Sequence, residues 1–276
     1  MRRHCAIIGG GLVGICTALA LLATGRRVTV FDRHGPCRET SRWNAGVLAT
    51  SSVIPLNNPG LFARVPNLLR GRGRGREPGF RLDLRAIATT LPWGAQFLRN
   101  ARAGPSARAT VALQALIGHS RTCHTDLCHA AGIAAPDDRG WIIAYRGSSG
   151  PARANALSGA LRRLAVAVEV LDPSGLRAVE PILAPSFSAA VYVTQSAFVD
   201  PPALAEGYID LAVSRGAEMV ADALTAMSRR EERWRLVCRS GRARHRIEVG
   251  TTFPASSVDH AGHPLCRAGP YNSIRS

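Results

Sequence analysis

Cys5-Ala6-Ile7-Ile8-Gly9-Gly10-Gly11-Leu12-Val13-Gly14 is the stretch that decides the fold. A short apolar run meets three glycines, and a second apolar run continues from Leu12 to Thr24. Met1-Arg2-Arg3 ahead of the uncharged segment Cys5 to Gly25 imitates a secretory signal or a membrane span. The clustering of Gly9, Gly10, Gly11 and Gly14 near its start suits neither. The spacing predicts a strand at 5–8, a turn, and a buried helix from Leu12 to Thr24. Gly25 would close that helix in the left-handed conformation, and a second strand, Val28 to Phe31, would end at Asp32. In that setting Gly9-Gly10-Gly11-Leu12-Val13-Gly14 is a G-x-G-x-x-G turn. Gly9 permits the tight turn, Gly11 lets a pyrophosphate approach the backbone, and Gly14 lets helix and strand press together. The helix N–H groups and dipole then face the phosphates. Asp32, 18 residues after Gly14, is expected to accept both ribose hydroxyls and to repel a 2′-phosphate. A glycine-rich βαβ unit without ligand is the alternative.

The 276 residues suffice for one large or two ordinary domains, and 46% are hydrophobic, enough for a core. The formal charge is +16, and all 35 basic residues are Arg, with no Lys. Exclusion of Lys along the whole chain indicates a coding bias rather than a nucleic-acid groove. No nucleic-acid partner is therefore expected, although Arg70-Gly71-Arg72-Gly73-Arg74-Gly75-Arg76 imitates an RNA-binding tract. Seven Cys, an odd number in a chain of this size, argue against a disulfide framework and for a reducing cytosol. His119, Cys123, His124, Cys128 and His129 are the densest metal-capable group. On a helix the pairs 119/123 and 124/128 point about 140° apart, so no metal site is expected. Cys37 is read as passive.

Asp32 is followed not by a crossover helix pattern but by the turn-rich Arg33 to Gly46, which suits wrapping a ligand. Here the sequence resembles the flavin-dependent oxidoreductases of the D-amino-acid oxidase superfamily, and most of all the bacterial D-amino-acid dehydrogenases. The resemblance rests on Ile7 to Gly14, Val28 to Arg33, and Thr40-Ser41-Arg42-Trp43-Asn44-Ala45-Gly46. Pro59-Gly60-Leu61, Val179-Glu180-Pro181 and Ala205 to Glu218 support it, over residues 4 to about 245. It implies an α/β fold: a Rossmann-like FAD-binding domain of residues 1–50 and 200–249, and an inserted, incomplete α+β substrate domain of residues 51–199. Residues 250–276 would form an irregular tail. Helices are expected at Leu82 to Ala101, Thr110 to Ala131, Ala152 to Ala167 and Ala203 to Arg215, the last opened by Pro201-Pro202.

The resemblance also implies the cofactor, FAD, with its pyrophosphate over Gly9, Gly11, Leu12, Val13 and Gly14. Asp32 would hold the ribose and Arg33 cover the adenine side. Ser41, Asn44, Ala45 and Gly46 would turn donors toward the pyrophosphate, ribityl chain and flavin, and the Leu224 backbone would touch the adenine. The implied substrate is an amino acid, oxidised by hydride transfer to flavin N5 to give a 2-oxo acid and ammonia. The electron acceptor would be a quinone or similar, and no protein base is assigned. The implied location is cytoplasmic, or peripheral at the inner membrane. The family's later flavin-covering and substrate-binding segments have no match after Ile247. The expectation is therefore a shortened member or one whose reading frame changed there. The rivals are an inactive FAD- or ADP-binding module and an unstable remnant.

Overall fold

The computed structural model describes residues 4–62, 84–183, 186–230, 233–240 and 249–254. The Arg70–Arg76 tract, Glu231 and Glu232, and the segments 241–248 and 255–276 lie outside the described residues. The chain divides into two compact units, one of residues 1–46, 124–136 and 199–276 and the other of 47–123 and 137–198.

The first unit is built on a parallel four-stranded sheet. β1 (His4–Ile8) runs into α1 (Leu12–Ala23) and then β2 (Arg27–Asp32). After α6 (Pro201–Ser214), β8 (Glu218–Ala221) joins β2, and β11 (Val249–Pro254) joins β1, giving the order β11-β1-β2-β8. Interior parallel strands are covered on both faces, so they read as continuous apolar runs. Ile7, Val28 and Val30 meet α1 through Ile15, Ala18 and Leu19, and α6 through Leu204, Tyr208 and Ala212. Ala6 and Phe31, pointing the other way, meet Leu236 and Cys238. Those two belong to the antiparallel hairpin of β9 (Leu224–Arg230) and β10 (Arg233–Cys238). The one buried hydroxyl in β2, Thr29, is held by His4 Nε2 on β1 at 2.9 Å and donates to Glu218 Oε2 on β8 at 2.9 Å. This side-chain chain ties three strands in register.

The irregular tail expected from residue 250 needs correction. Val249–Pro254 is a strand, with Thr251 opposite Cys5 and Phe253 opposite Ile7. The β-branched pair Thr251-Thr252 and Phe253 suit a pleated ladder. Glycine, proline and serine elsewhere in the tail obscured them.

The second unit holds an antiparallel three-stranded sheet, in the order β4 (Trp141–Arg146), β6 (Phe187–Val193), β5 (Val168–Leu171). A two-stranded ribbon pairs β3 (Val47–Leu48) with β7 (Ala197–Phe198). α4 (Gly150–Arg163) lays Ala154 and Leu161 on Val191 and Val193. α2 (Leu84–Asn100) and the first part of α3 (Ala103–Ala131) also belong here. Pro92 lies inside α2. α5 (Pro173–Val179) is a helix the sequence reading did not anticipate. Its signal is Asp172-Pro173, for Asp172 Oδ1 accepts the Gly175 N–H at 2.7 Å and Pro173 needs no partner.

Four of the six described helices end in one pattern. After α1, Gly25 (φ +74°) bonds the Leu22 carbonyl and Arg26 bonds that of Leu21. Gly132 and Gly216 close α3 and α6 in the same way. At the end of α4 the left-handed position is filled by Ala165 (φ +55°), with its N–H on the Arg162 carbonyl and that of Val166 on Leu161. A Cβ in that conformation is strained, and Ala165 is exposed. Ala165→Gly is therefore expected to raise unfolding stability by about 0.5–1 kcal/mol, read by urea denaturation. A loss of stability would show that the bend is held by something other than backbone conformation.

Candidate functional site

The turn between β1 and α1 is where charge and open backbone meet. Gly9 takes φ +99° and donates its N–H to the Phe31 carbonyl at 2.8 Å. Gly11 is the residue that caps α1, with extended backbone (φ −68°, ψ 177°) and no side chain to cap with. The first turn of α1 carries no acidic residue. Helix N-termini leave orphan N–H donors and positive partial charge, an arrangement suited to an anion. The Leu12 N–H bonds Ser41 Oγ at 3.0 Å, across 29 residues of sequence. A hydroxyl that accepts one bond still has its own proton to donate.

Asp32 sits differently from the expectation that its carboxylate is kept for a sugar. Oδ2 accepts the Gly10 N–H at 2.8 Å and Oδ1 accepts the His34 N–H at 3.0 Å. Oδ2 braces the turn and Oδ1 the start of Asp32's own loop, and each has a second lone pair left for a ligand. Arg33 pairs side-on with Glu39, its Nε 2.9 Å from Oε1 and an Nη 3.1 Å from Oε2. That contact holds the Glu39 carboxyl below its ordinary range, chiefly by hydrogen bonding.

The loop 41–46 folds on itself. Asn44 donates to the Ser41 carbonyl at 2.8 Å and its Oδ1 accepts the Gly46 N–H at 2.7 Å. The Gly46 N–H, expected as a donor to a ligand, goes to Asn44 within this loop, whereas the Asn44 carboxamide keeps its second N–H. Gly46 takes φ +65°, and a Cβ there would collide with the Val199 carbonyl oxygen. Its role is to let two segments pass closely. Ala45 is exposed between them. Val13 is also exposed, Gly14 is buried within α1, and Leu12 packs on the core of the first unit. Leu224 begins β9, half-buried against Ala6, Phe31 and Leu236.

Two residues of the turn went unassigned in the sequence. Gly10 is buried, and a Cβ on it would stand 3.0 Å from Asp32 Cβ and 3.1 Å from Pro36 Cα. The middle glycine therefore serves packing under the turn. Cys37 (φ +53°) seals it from below, its N–H on the Gly10 carbonyl at 2.8 Å. Three consecutive glycines, where the turn pattern needs only two, were the signal for Gly10. Among the described residues no cluster of His, Cys, Asp or Glu able to hold a metal is present. On α3, His119 Nε2 contacts Cys123 at 3.5 Å, whereas His124 and Cys128 both meet Tyr208.

A family profile described as FAD dependent oxidoreductase (DAO) matches residues 4–253. The chain belongs to this family. Its strand–glycine turn–helix start and its β2 acid are the parts of the fold just described. A D-amino-acid oxidase of Bradyrhizobium diazoefficiens is 32% identical over 232 residues, covering 82% of this chain and 53% of that protein. D-amino acid dehydrogenase 2 of Ralstonia nicotianae is 34% identical over 193 residues, covering 67% of this chain and 43% of the relative. The crystal structure of glycine oxidase from Geobacillus kaustophilus superposes with a TM-score of 0.61 at 19% identity, over 92% of this chain and 55% of that one. The chain thus spans about half the length of the curated DAO relatives it matches. No helix among the described residues is long and apolar enough to cross a membrane.

The Cys37 thiol is pushed from about 9 to about 11, first by burial and second by the Asp32 charge. Below pH 9 the thiol is neutral folded or unfolded. Between pH 9 and 11 only the unfolded chain ionises there, so stability falls as pH rises through that window. Cys37→Ala is expected to remove about 2–3 kcal/mol of that loss, read as the difference in denaturation between pH 8.5 and pH 11. Identical pH slopes in the two proteins would mean that Cys37 is not sealed beneath the turn.

Proposed function

We propose that this chain binds FAD at the glycine turn and takes part in the oxidation of a small amino acid. The observation that carries the reading is the start of α1: an acid-free helix terminus whose capping residue, Gly11, has no side chain, behind a turn of glycines, in a chain whose family is FAD-dependent. The residues present fit the adenosine diphosphate end of the cofactor. Gly11 has no Cβ, and one built there would already be 3.1 Å from Ser41 Oγ, so a larger side chain would fill the approach. The α1 N–H groups would receive the pyrophosphate, and Ser41 would give its free proton to a phosphate oxygen. Asp32, held by Gly10 and His34, would offer its remaining lone pairs to the ribose. Gly46 and Asn44 act indirectly, by fixing the loop that delivers Ser41. When bound, FAD supplies hydride acceptance at N5, taking the Cα–H of an amino acid and leaving an imine that water converts to a 2-oxo acid and ammonia. The names of the relatives support a D-amino acid as substrate. A quinone acceptor is part of the same proposal.

The test is the visible spectrum of the purified chain, followed by a panel of D-amino acids under anaerobic conditions. A yellow protein that bleaches with one of them is the expected result. A yellow protein that never bleaches would reduce the function to cofactor binding, and a colourless folded protein would overturn the reading. Gly11→Val is expected to abolish flavin retention while leaving far-UV circular dichroism unchanged. Asp32→Ala should lose stability by about 1–3 kcal/mol even without flavin, because two backbone donors lose their acceptor, and should retain less flavin as well. Flavin content equal to that of the parent in both variants would remove the turn from the site.

A further inference from the structure

α3 carries two His–Cys pairs at a spacing of four residues, 119/123 and 124/128, and their surroundings differ. Residues four apart on a helix are neighbours on one face. His124 and Cys128 both meet Tyr208, and Cys128 is fully buried. His119 and Cys123, both in the second unit, turn toward each other, with Nε2 3.5 Å from Sγ. His119 is exposed and Cys123 half-buried. Cys5, Cys37, Cys128 and Cys238 are buried, which leaves Cys16 and Cys123 as the described cysteines that solvent reaches. Cys16 packs on the core of the first unit. Cys123 is thus a thiol that solvent reaches and that already touches a nitrogen base.

A thiol is a poor nucleophile until its proton leaves, and the base that takes the proton must lie within hydrogen-bond reach. With the ring proton on Nδ1, the Nε2 lone pair of His119 accepts the Cys123 S–H. We propose that Cys123 is a site of covalent modification by small disulfides, with His119 as its proton acceptor. Sγ attacks one sulfur of the disulfide as the thiol proton moves to Nε2. The new Sγ–S bond forms and the S–S bond of the reagent breaks. The leaving sulfur takes the proton back from the ring and departs as a thiol. Cys123 is thereby oxidised to a mixed disulfide while half of the reagent is reduced, so no other oxidant enters the step. The formal charge of +16 favours disulfides that carry negative charge. Cys37, buried and with its thiol pushed up to about 11, stays inert to the same reagent. The modification needs neither FAD nor an amino acid substrate.

The experiment treats the full chain with glutathione disulfide, an anionic peptide disulfide, and follows each cysteine over time by peptide mass mapping. Cys123 is expected to react ahead of Cys16, and Cys5, Cys37, Cys128 and Cys238 only after denaturant is added. His119→Gln should slow the reaction of Cys123 about tenfold or more and leave that of Cys16 unchanged. Gln is no larger than His and gives the sulfur no extra cover, so the slowing reads lost proton acceptance. Circular dichroism should be unchanged, because His119 already faces solvent. Reaction of Cys16 or of a buried cysteine ahead of Cys123 overturns the proposal. So does a Cys123 rate that His119→Gln leaves as it was.

Discussion

Two backbone N–H groups in the turn after β1 govern the first unit: that of Gly10, taken by Asp32, and that of Leu12, taken by Ser41. A turn without side chains can be close to a ligand only if something else holds its shape. Here that something is one carboxylate from the end of β2 and one hydroxyl from the loop beyond it. The carboxylate fixes the turn to the sheet, and the hydroxyl fixes the loop to the helix. Remove either acceptor and a half-buried backbone donor of the turn loses its partner, at a cost of about 1–3 kcal/mol.

The loop 33–46 consequently behaves as part of the turn rather than as a connector. Cys37 closes it from beneath, Gly46 lets it pass the Val199 carbonyl, and Asn44 ties Ser41 to Gly46 at its end. Several groups that look like ligand donors in sequence are occupied in shaping this loop. Polar residues around the proposed phosphate site can serve two ends, and only the hydrogen-bond partners separate them. Ser41 and Asp32 can serve both because a hydroxyl and a carboxylate each have capacity beyond one bond.

The β1-α1-β2 start was legible because each of its signals is local: strand-length apolar runs, glycines at fixed spacing, Gly25 one residue past the C-cap. α6 was legible for the same reason, through Pro201-Pro202 and Gly216. The strand Val249–Pro254 was not, since its ladder partner is β1, some 245 residues earlier in the chain, and no local period announces it. α5 was missed because seven residues are too few to show a helical repeat, though Asp172 and Pro173 mark its start. At the candidate site the residue types come from the sequence, and the allocation of their hydrogen bonds does not. Nothing in the order of residues says that Asp32 faces Gly10, or that Asn44 folds back on Ser41.

β11 completes the flank of β1 opposite to β2, and the strand it covers is one of the most apolar in the chain. Cys5, Ala6 and Ile7 are wholly buried, with no charge or proline to discourage a foreign strand. Were residues 249–254 to detach, the bared row of amides and carbonyls along β1 would be a template for sheet growth between molecules. The last described strand is therefore a guard against aggregation as well as a member of the sheet.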